Sequence, residues 1–175
     1  SIAIGFQALL NQNFTTATDS HNVAIGVNAG KEITTGTSNT LLGNFSGDAI
    51  TTGTNNNAVG KSALTANTTG DYNNALGESA LLSNTTGSSN IAIGGSALRS
   101  NTTASNNTAV GESALRANTT GATNVAVGMT AGNAVTTGSN NTLIGSATAT
   151  SLTTAIGCSI VGHANNVSSA TDNYA

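Results

Sequence analysis

Asn107-Thr108-Ala109-Val110-Gly111-Glu112-Ser113-Ala114-Leu115-Arg116-Ala117-Asn118-Thr119-Thr120-Gly121 reappears when the chain is shifted by seventeen residues in either direction. Upstream it reads Asn90-Ile91-Ala92-Ile93-Gly94, and downstream Asn124-Val125-Ala126-Val127-Gly128. Its first glycine recurs as Gly26, Gly43, Gly60, Gly77, Gly94, Gly111, Gly128, Gly145 and Gly162 without a slip. A fixed period near twenty residues is the signature of a solenoid with one coil per repeat, because a single repeat cannot bury its apolar face alone.

Composition agrees with that reading and narrows it. Thr and Asn supply 55 of the 175 residues and charged residues only 6%, so self-repulsion cannot keep the chain open. A polar low-complexity tract would lack a fixed register of apolar positions, and here the register is fixed. A net charge of −3 without a basic block excludes the electrostatic footprint of a nucleic-acid binder. No run of eighteen apolar residues offers a membrane-spanning helix. Cys158 is the only cysteine, so it has no intrachain disulfide partner.

Positions within a repeat are counted here from its glycine. Position −1 is always large and aliphatic: Ile25, Leu42, Val59, Leu76, Ile93, Val110, Val127, Ile144 and Val161. Position −2 is usually Ala, with Leu41, Leu143 and Ile160 as exceptions. Position −4 is Asn eight times running: Asn22, Asn39, Asn56, Asn73, Asn90, Asn107, Asn124 and Asn141. A short aliphatic run closed by glycine predicts a strand whose side chains alternate faces. The aliphatic row is expected to form the core, and the Ala/Asn row points the opposite way. Neither row reads as a solvent face, so the strand needs a packing partner beyond its own coil. Stacked about 4.8 Å apart, the asparagines are expected to form an amide ladder.

A compensation marks the second half of the repeat. Leu64, Leu81, Leu98 and Leu115 at +4 accompany Asn67, Asn84, Asn101 and Asn118 at +7. Where +4 is Gly30, Gly47 or Gly132, position +7 becomes Ile33, Ile50 or Val135. One apolar side chain leaves as another enters, as expected of residues sharing one interior space. Paired threonines follow, mostly closed by a glycine expected to adopt the left-handed turn conformation. The chain contains no proline, consistent with uninterrupted backbone ladders.

The chain divides into an irregular first coil (1–25), a regular array (26–162) and a transition into a further repeat or module (163–175). Gly5 to Gly26 spans four residues more than the norm, placing an insertion loop around residues 10–20. After residue 146 the register is expected to loosen, with Ala155-Ile156-Gly157 inserting a second apolar-Gly unit. The stretch reads as a slice of a longer protein.

These repeats resemble the head repeats of trimeric autotransporter adhesins. The fuller form, Asn-Thr-Ala-Val-Gly-x-x-Ala-Leu-x-x-Asn-Thr-Thr-Gly, is still more similar to repeats of phage tail fibres and related bacterial surface proteins. The resemblance covers essentially residues 1–162; adhesin heads use shorter coils. It implies an all-β fold, a left-handed parallel β-roll with 17-residue coils, assembled as an intertwined or side-by-side homotrimer. The implied role is structural attachment, with a host receptor or glycan as partner, at a bacterial cell surface or on a virion tail fibre outside the cell.

No catalytic, cofactor or metal constellation emerges, and an enzyme is not expected. Glu78 and Glu112 share position +1 two coils apart, roughly 10 Å by the stacking rise. That spacing suits an inverting glycosidase, but an unwalled rod surface gives neither carboxyl the burial that tunes a pKa. Arg99 and Arg116 stack at +5 as a solubilising row. His21 and His163 are far apart, and His would hold a metal here only by meeting symmetry mates on an axis. Cys158 takes the place of an asparagine in the ladder and lacks a base with its own orienting group. The threonine rows leave a monomeric ice-binding solenoid as the alternative, although adjacent threonines facing opposite ways would expose only one row per coil.

Overall fold

The computed structural model describes residues 1–14 and 19–164. Ten three-residue strands follow one another: β1 (Ile2–Ile4), β2 (Val23–Ile25), β3 (Thr40–Leu42), β4 (Asn57–Val59), β5 (Asn74–Leu76), β6 (Ile91–Ile93), β7 (Thr108–Val110), β8 (Val125–Val127), β9 (Thr142–Ile144) and β10 (Ser159–Val161). They form one parallel sheet in chain order, the β-solenoid that the period predicts. From β2 onward each residue pairs with the one seventeen places along, as Ala92 with Ala109. At about 4.8 Å per strand spacing, the sheet runs roughly 43 Å from β1 to β10.

The backbone bonds between coils well beyond the strands. Val125 N donates to Asn141 O at 2.8 Å, and Gly128 N donates back to Val110 O at 2.8 Å. In the following turns Ser96 N reaches Glu78 O and Leu98 N reaches Ala114 O, at 2.9 and 3.0 Å. Donors are directed alternately to the preceding and the following coil, and a proline would remove one of them. The 21-residue first coil keeps both ends in place: Asn13 N donates to Thr34 O, and Ser38 N to Ser20 O. Its four extra residues fall between those anchors. Part of the predicted 10–20 loop, and the stretch 165–175 with most of the 163–175 transition, lie outside the described residues.

The coil turns by left-handed backbone at three positions that are mostly held by residues other than glycine. In one coil these are Ser96, Leu98 and Asn106, with φ of 59°, 50° and 63°. Left-handed α conformation costs an L-residue roughly 1–2 kcal/mol, which burial offsets at the fully buried Leu98. The glycine that sets the count lies elsewhere, as at Gly94 with φ 127°, where a Cβ would sit 2.6 Å from the Gly111 carbonyl. The glycines after the threonine pairs correct the expectation made for them, since none has positive φ. At Gly53 the requirement is space: a Cβ would lie 2.7 Å from Gly70 O.

Two further expectations change. Ile25, Leu42, Val59, Leu76, Ile93, Val110, Val127, Ile144 and Val161 do not line the coil interior. They face outward, most of them 37–40% exposed. The interior is instead built from Ala at −2 and +3, Leu at +4 and the aliphatic +7 residues, buried from the second coil onward. With one strand residue per coil pointing inward, the alternation that buries Ala109 forces Thr108 and Val110 out. Nor does the register loosen between residue 146 and the last described residue, 164, because β10 pairs with β9 in the common register. Gly157, φ 71°, takes the left-handed slot of Asn106 and Asn140, so it belongs to the ordinary coil.

The compensation is geometrical, and it extends to the leucines at −2. A Cβ on Gly132 would meet Leu143 Cδ1 at 2.6 Å and Val135 Cγ2 at 3.6 Å. A Cβ on Gly47 would meet Ile50 Cδ1 at 2.7 Å and Leu41 Cδ2 at 2.8 Å. Leu41 and Leu143 therefore fill room that a +4 leucine occupies in other coils. Leu143→Ala alone should lose about 2–5 kcal/mol. Gly132→Leu alone should be destabilising by overpacking. Combined, they should show a favourable coupling of at least ~1 kcal/mol in a double-mutant cycle read by denaturant unfolding.

Candidate interaction surface

The polar interior locks the coil that presents this surface. All eight asparagines from Asn22 to Asn141 are buried. Asn107 Oδ1 accepts from Asn124 N at 2.9 Å and from Asn124 Nδ2 at 3.1 Å. Asn107 Nδ2 donates to Gly121 O at 2.9 Å. Each amide thus bonds the next coil and braces its own turn.

A second ladder runs parallel to the first. Asn84 Nδ2 donates to Asn67 Oδ1, Asn101 to Asn84 and Asn118 to Asn101, at 2.9, 2.8 and 3.0 Å. The two ladders converge on shared turn carbonyls: Gly87 O accepts from both Asn73 and Asn84, at 2.8 and 2.9 Å. The next residue in line is Val135, so Asn118 Oδ1 is buried without a partner. The seventeen-residue recurrence of Asn67 to Asn118 was the available signal for this ladder; its buried setting requires the coil geometry.

Outside, strand residues −3 and −1 and the following +1 residue form one continuous face. The −1 row is aliphatic from Ile4 to Val161. Its neighbours add Ile2, Phe6, Val27, Ile91, Val125 and Met129, all exposed. Charge enters the face at its +1 edge, with Lys61, Glu78 and Glu112, and otherwise lies off it, as at +5 and +6 and at Asp71 in row −6. Lys61 and Glu78 lie 3.9 Å apart with both side chains mostly exposed, an ion pair of small energetic weight. Glu112 stands exposed two rungs from Glu78 with Gly95 between them, on open surface. Arg116 is exposed and Arg99 half-buried at +5.

The remaining chemistry-bearing residues are dispersed. His21 is exposed at −5 and His163 at +1 near the other end. Among the described residues, no three His, Cys, Asp or Glu stand together as a metal-binding group. Cys158 is buried in the ladder row, its N donating to Asn141 Oδ1 at 3.0 Å. From Thr34 to Thr136 the first threonine of each pair points its hydroxyl into the next coil, as Thr102 Oγ1 to Thr119 O at 3.0 Å. The second rank, Thr35 through Thr154, is exposed at every coil, whereas the first rank is part-buried from Thr51 to Thr136 and exposed only at its ends, Thr34 and Thr153.

Two carboxyls are perturbed. Hydrogen bonds from Lys31, at 3.0 Å in an ion pair, and from Asn11 at 2.6 Å hold Glu32 below its ordinary range. That contribution is present above the unfolded pKa and fades as pH falls through the folded one. Asp48 is shifted the other way: burial raises it against its own and Ala49's backbone N–H groups, and Oδ1 lacks a partner.

Compared with protein-family models, with curated proteins and with solved structures, the chain matches none.

The ladder and Asp48 give separate expectations. Asn90→Ala would orphan the buried Asn107 N, which donates to Asn90 Oδ1 at 3.0 Å. It should cost about 1–3 kcal/mol by denaturant unfolding, against ~0.5 kcal/mol or less for exposed Thr137→Ala. A raised aspartate destabilises the fold where it is ionised, and the penalty fades as pH falls through the raised value. Asp48→Asn should therefore raise Tm at pH 7, with the gain vanishing as pH drops below the ordinary value of 3.8.

Proposed function

We propose that this chain is a non-enzymatic segment of an attachment fibre, of the adhesin or phage tail-fibre kind. Three copies, each wound as a left-handed β-roll, pack their aliphatic sheet faces around a common axis. The observation carrying this reading is the outward −1 row, half-exposed in a single chain and aliphatic at every coil. A strip roughly 43 Å long and at least two side chains wide is of the size that marks an association surface. The coil interior supplies the second argument. Built largely of Ala and Asn, it buries little apolar area per residue, and association adds what the single coil lacks. Symmetric closure then covers the same strip on every copy.

On this reading the rod provides reach and rigidity outside the cell, at a bacterial surface or on a virion. Its exposed polar rows and loops contact a receptor or glycan. Ice binding remains the second reading, supported by the exposed threonine rank. It stands behind the first because the neighbouring threonine hydroxyls are bonded into the next coil, leaving that rank without a second beside it.

Light scattering on the purified chain should return three times the 17.0 kDa chain mass. Val110→Asp should shift that mass to monomer while far-UV circular dichroism is retained, because residue 110 lies outside the coil interior. Glu112→Ala should leave the mass unchanged. A stable wild-type monomer would sink the assembly reading.

A further inference from the structure

Position −5 uses left-handed backbone in every coil from His21 onward. Its occupants are His21, Ser38, Asn55, Tyr72, Ser89, Asn106, Thr123, Asn140 and Gly157. Small or amide-bearing residues fill most of these places, and asparagine tolerates the conformation best among L-residues. Tyr72, with φ 57°, is the largest occupant, and exposed His21, with φ 50°, is the other ring among them. Strain at the +4 leucines is offset by complete burial, but Tyr72 is 59% exposed and gains no such packing. A large ring held in a strained slot without burial is the kind of outlier from which function is sensibly inferred.

The surroundings of this ring are as unusual as its backbone. Tyr72 is exposed at the turn that leads into β5, and Asn74, two residues on, is partly exposed while Asn73 between them is buried. Position −3 is Val, Ile, Thr or Ser in the other coils from β2 to β10, but Asn in β4 and β5. Asn57 Nδ2 donates to Asn74 Oδ1 at 2.8 Å on the surface. That bond fixes both amides and leaves Asn57 Oδ1 as an acceptor and Asn74 Nδ2 as a donor. On the other flank, Asp71 Oδ1 accepts from Thr54 N and Thr54 Oγ1, at 2.7 and 3.1 Å. Asn55 Nδ2 donates to Thr54 Oγ1 at 3.2 Å, which holds the next rung in place.

From these observations we propose that Tyr72, with Asn57 and Asn74, forms a binding site for a neutral saccharide. The ring offers an apolar face to the C–H side of a pyranose. The free amide acceptor and donor match a pair of hydroxyls, which both donate and accept. The preference for a neutral sugar follows from charge: Asp71 is the only ionisable neighbour in these rows, and the Lys61 and Glu78 side chains start at +1, beyond the aliphatic row. This inference rests on the attachment reading for its biological setting. Because Asn57 and Asn74 stand in the −3 row, the site requires that copies pack through the −1 and +1 rows and leave this polar stretch of the −3 row open.

The test presents the full chain to immobilised cello-, manno- and galacto-oligosaccharides and measures retention and affinity. At least one series should be retained. Tyr72→Ser, which installs the residue already present at Ser89, should weaken that binding roughly tenfold or more with Tm and oligomeric mass unchanged. Tyr72→Phe should keep it within about threefold, since the ring face remains, while Asn74→Ala should weaken it. Absence of retention on all three series, or equal binding by Tyr72→Ser, overturns the proposal. A change of oligomeric mass in Tyr72→Ser also overturns it, assigning the ring to contact between copies. Saccharide binding by a monomeric wild type would uphold the site while refuting the trimer.

Discussion

The side-chain amide at position −4 holds successive coils at one register. Asn107 receives two hydrogen bonds from Asn124 and donates one to the carbonyl of its own turn at Gly121. It thereby acts as an extra piece of backbone inside the coil, where no water satisfies a polar group. A one-residue slip would break every such bond along the rod at once and turn Ala109 outward. The backbone ladders would allow many registers between identical strands. The asparagines allow one.

That polar interior limits what else fits inside. Two amide ladders and a row of alanines leave room for only one or two sizeable apolar side chains per coil, placed at +4, +7 or −2. Where +4 is glycine, Leu41 and Leu143 extend from −2 to close the remaining gap. Packing and polar satisfaction are coupled in this way: Val135 completes the apolar fill of its coil and leaves Asn118 Oδ1 without a partner. The aliphatic residues at −1 alternate away from the buried −2 and −4 positions and so face the surface. There they form the strip on which our functional proposal rests.

Much of this was legible because the period is exact in the sequence. Coil length, the parallel stacking, the asparagine ladder and the exchange between +4 and +7 all follow from which residues recur at seventeen. The left-handed turns were not legible, since Ser96, Leu98 and Asn106 are ordinary residues whose φ is imposed by coil closure. Gly157 was misread for the related reason that a glycine in a turn slot and a glycine ending a strand look alike in one dimension. Tyr72 carried no signal as one of only two tyrosines until the fold placed it on a polar row beside Asn57 and Asn74.

By itself, then, the sequence determined the repeat, the stacking and the opposition of two rows across each strand. Alternation is a property of the extended backbone and needs no knowledge of neighbours. Only the tertiary structure decided which row faces the interior. Val110 and Ala109 are both apolar enough for a core, and the choice falls to Ala109 because it alternates to the same side as Asn107, whose amide bonds the next coil from the interior.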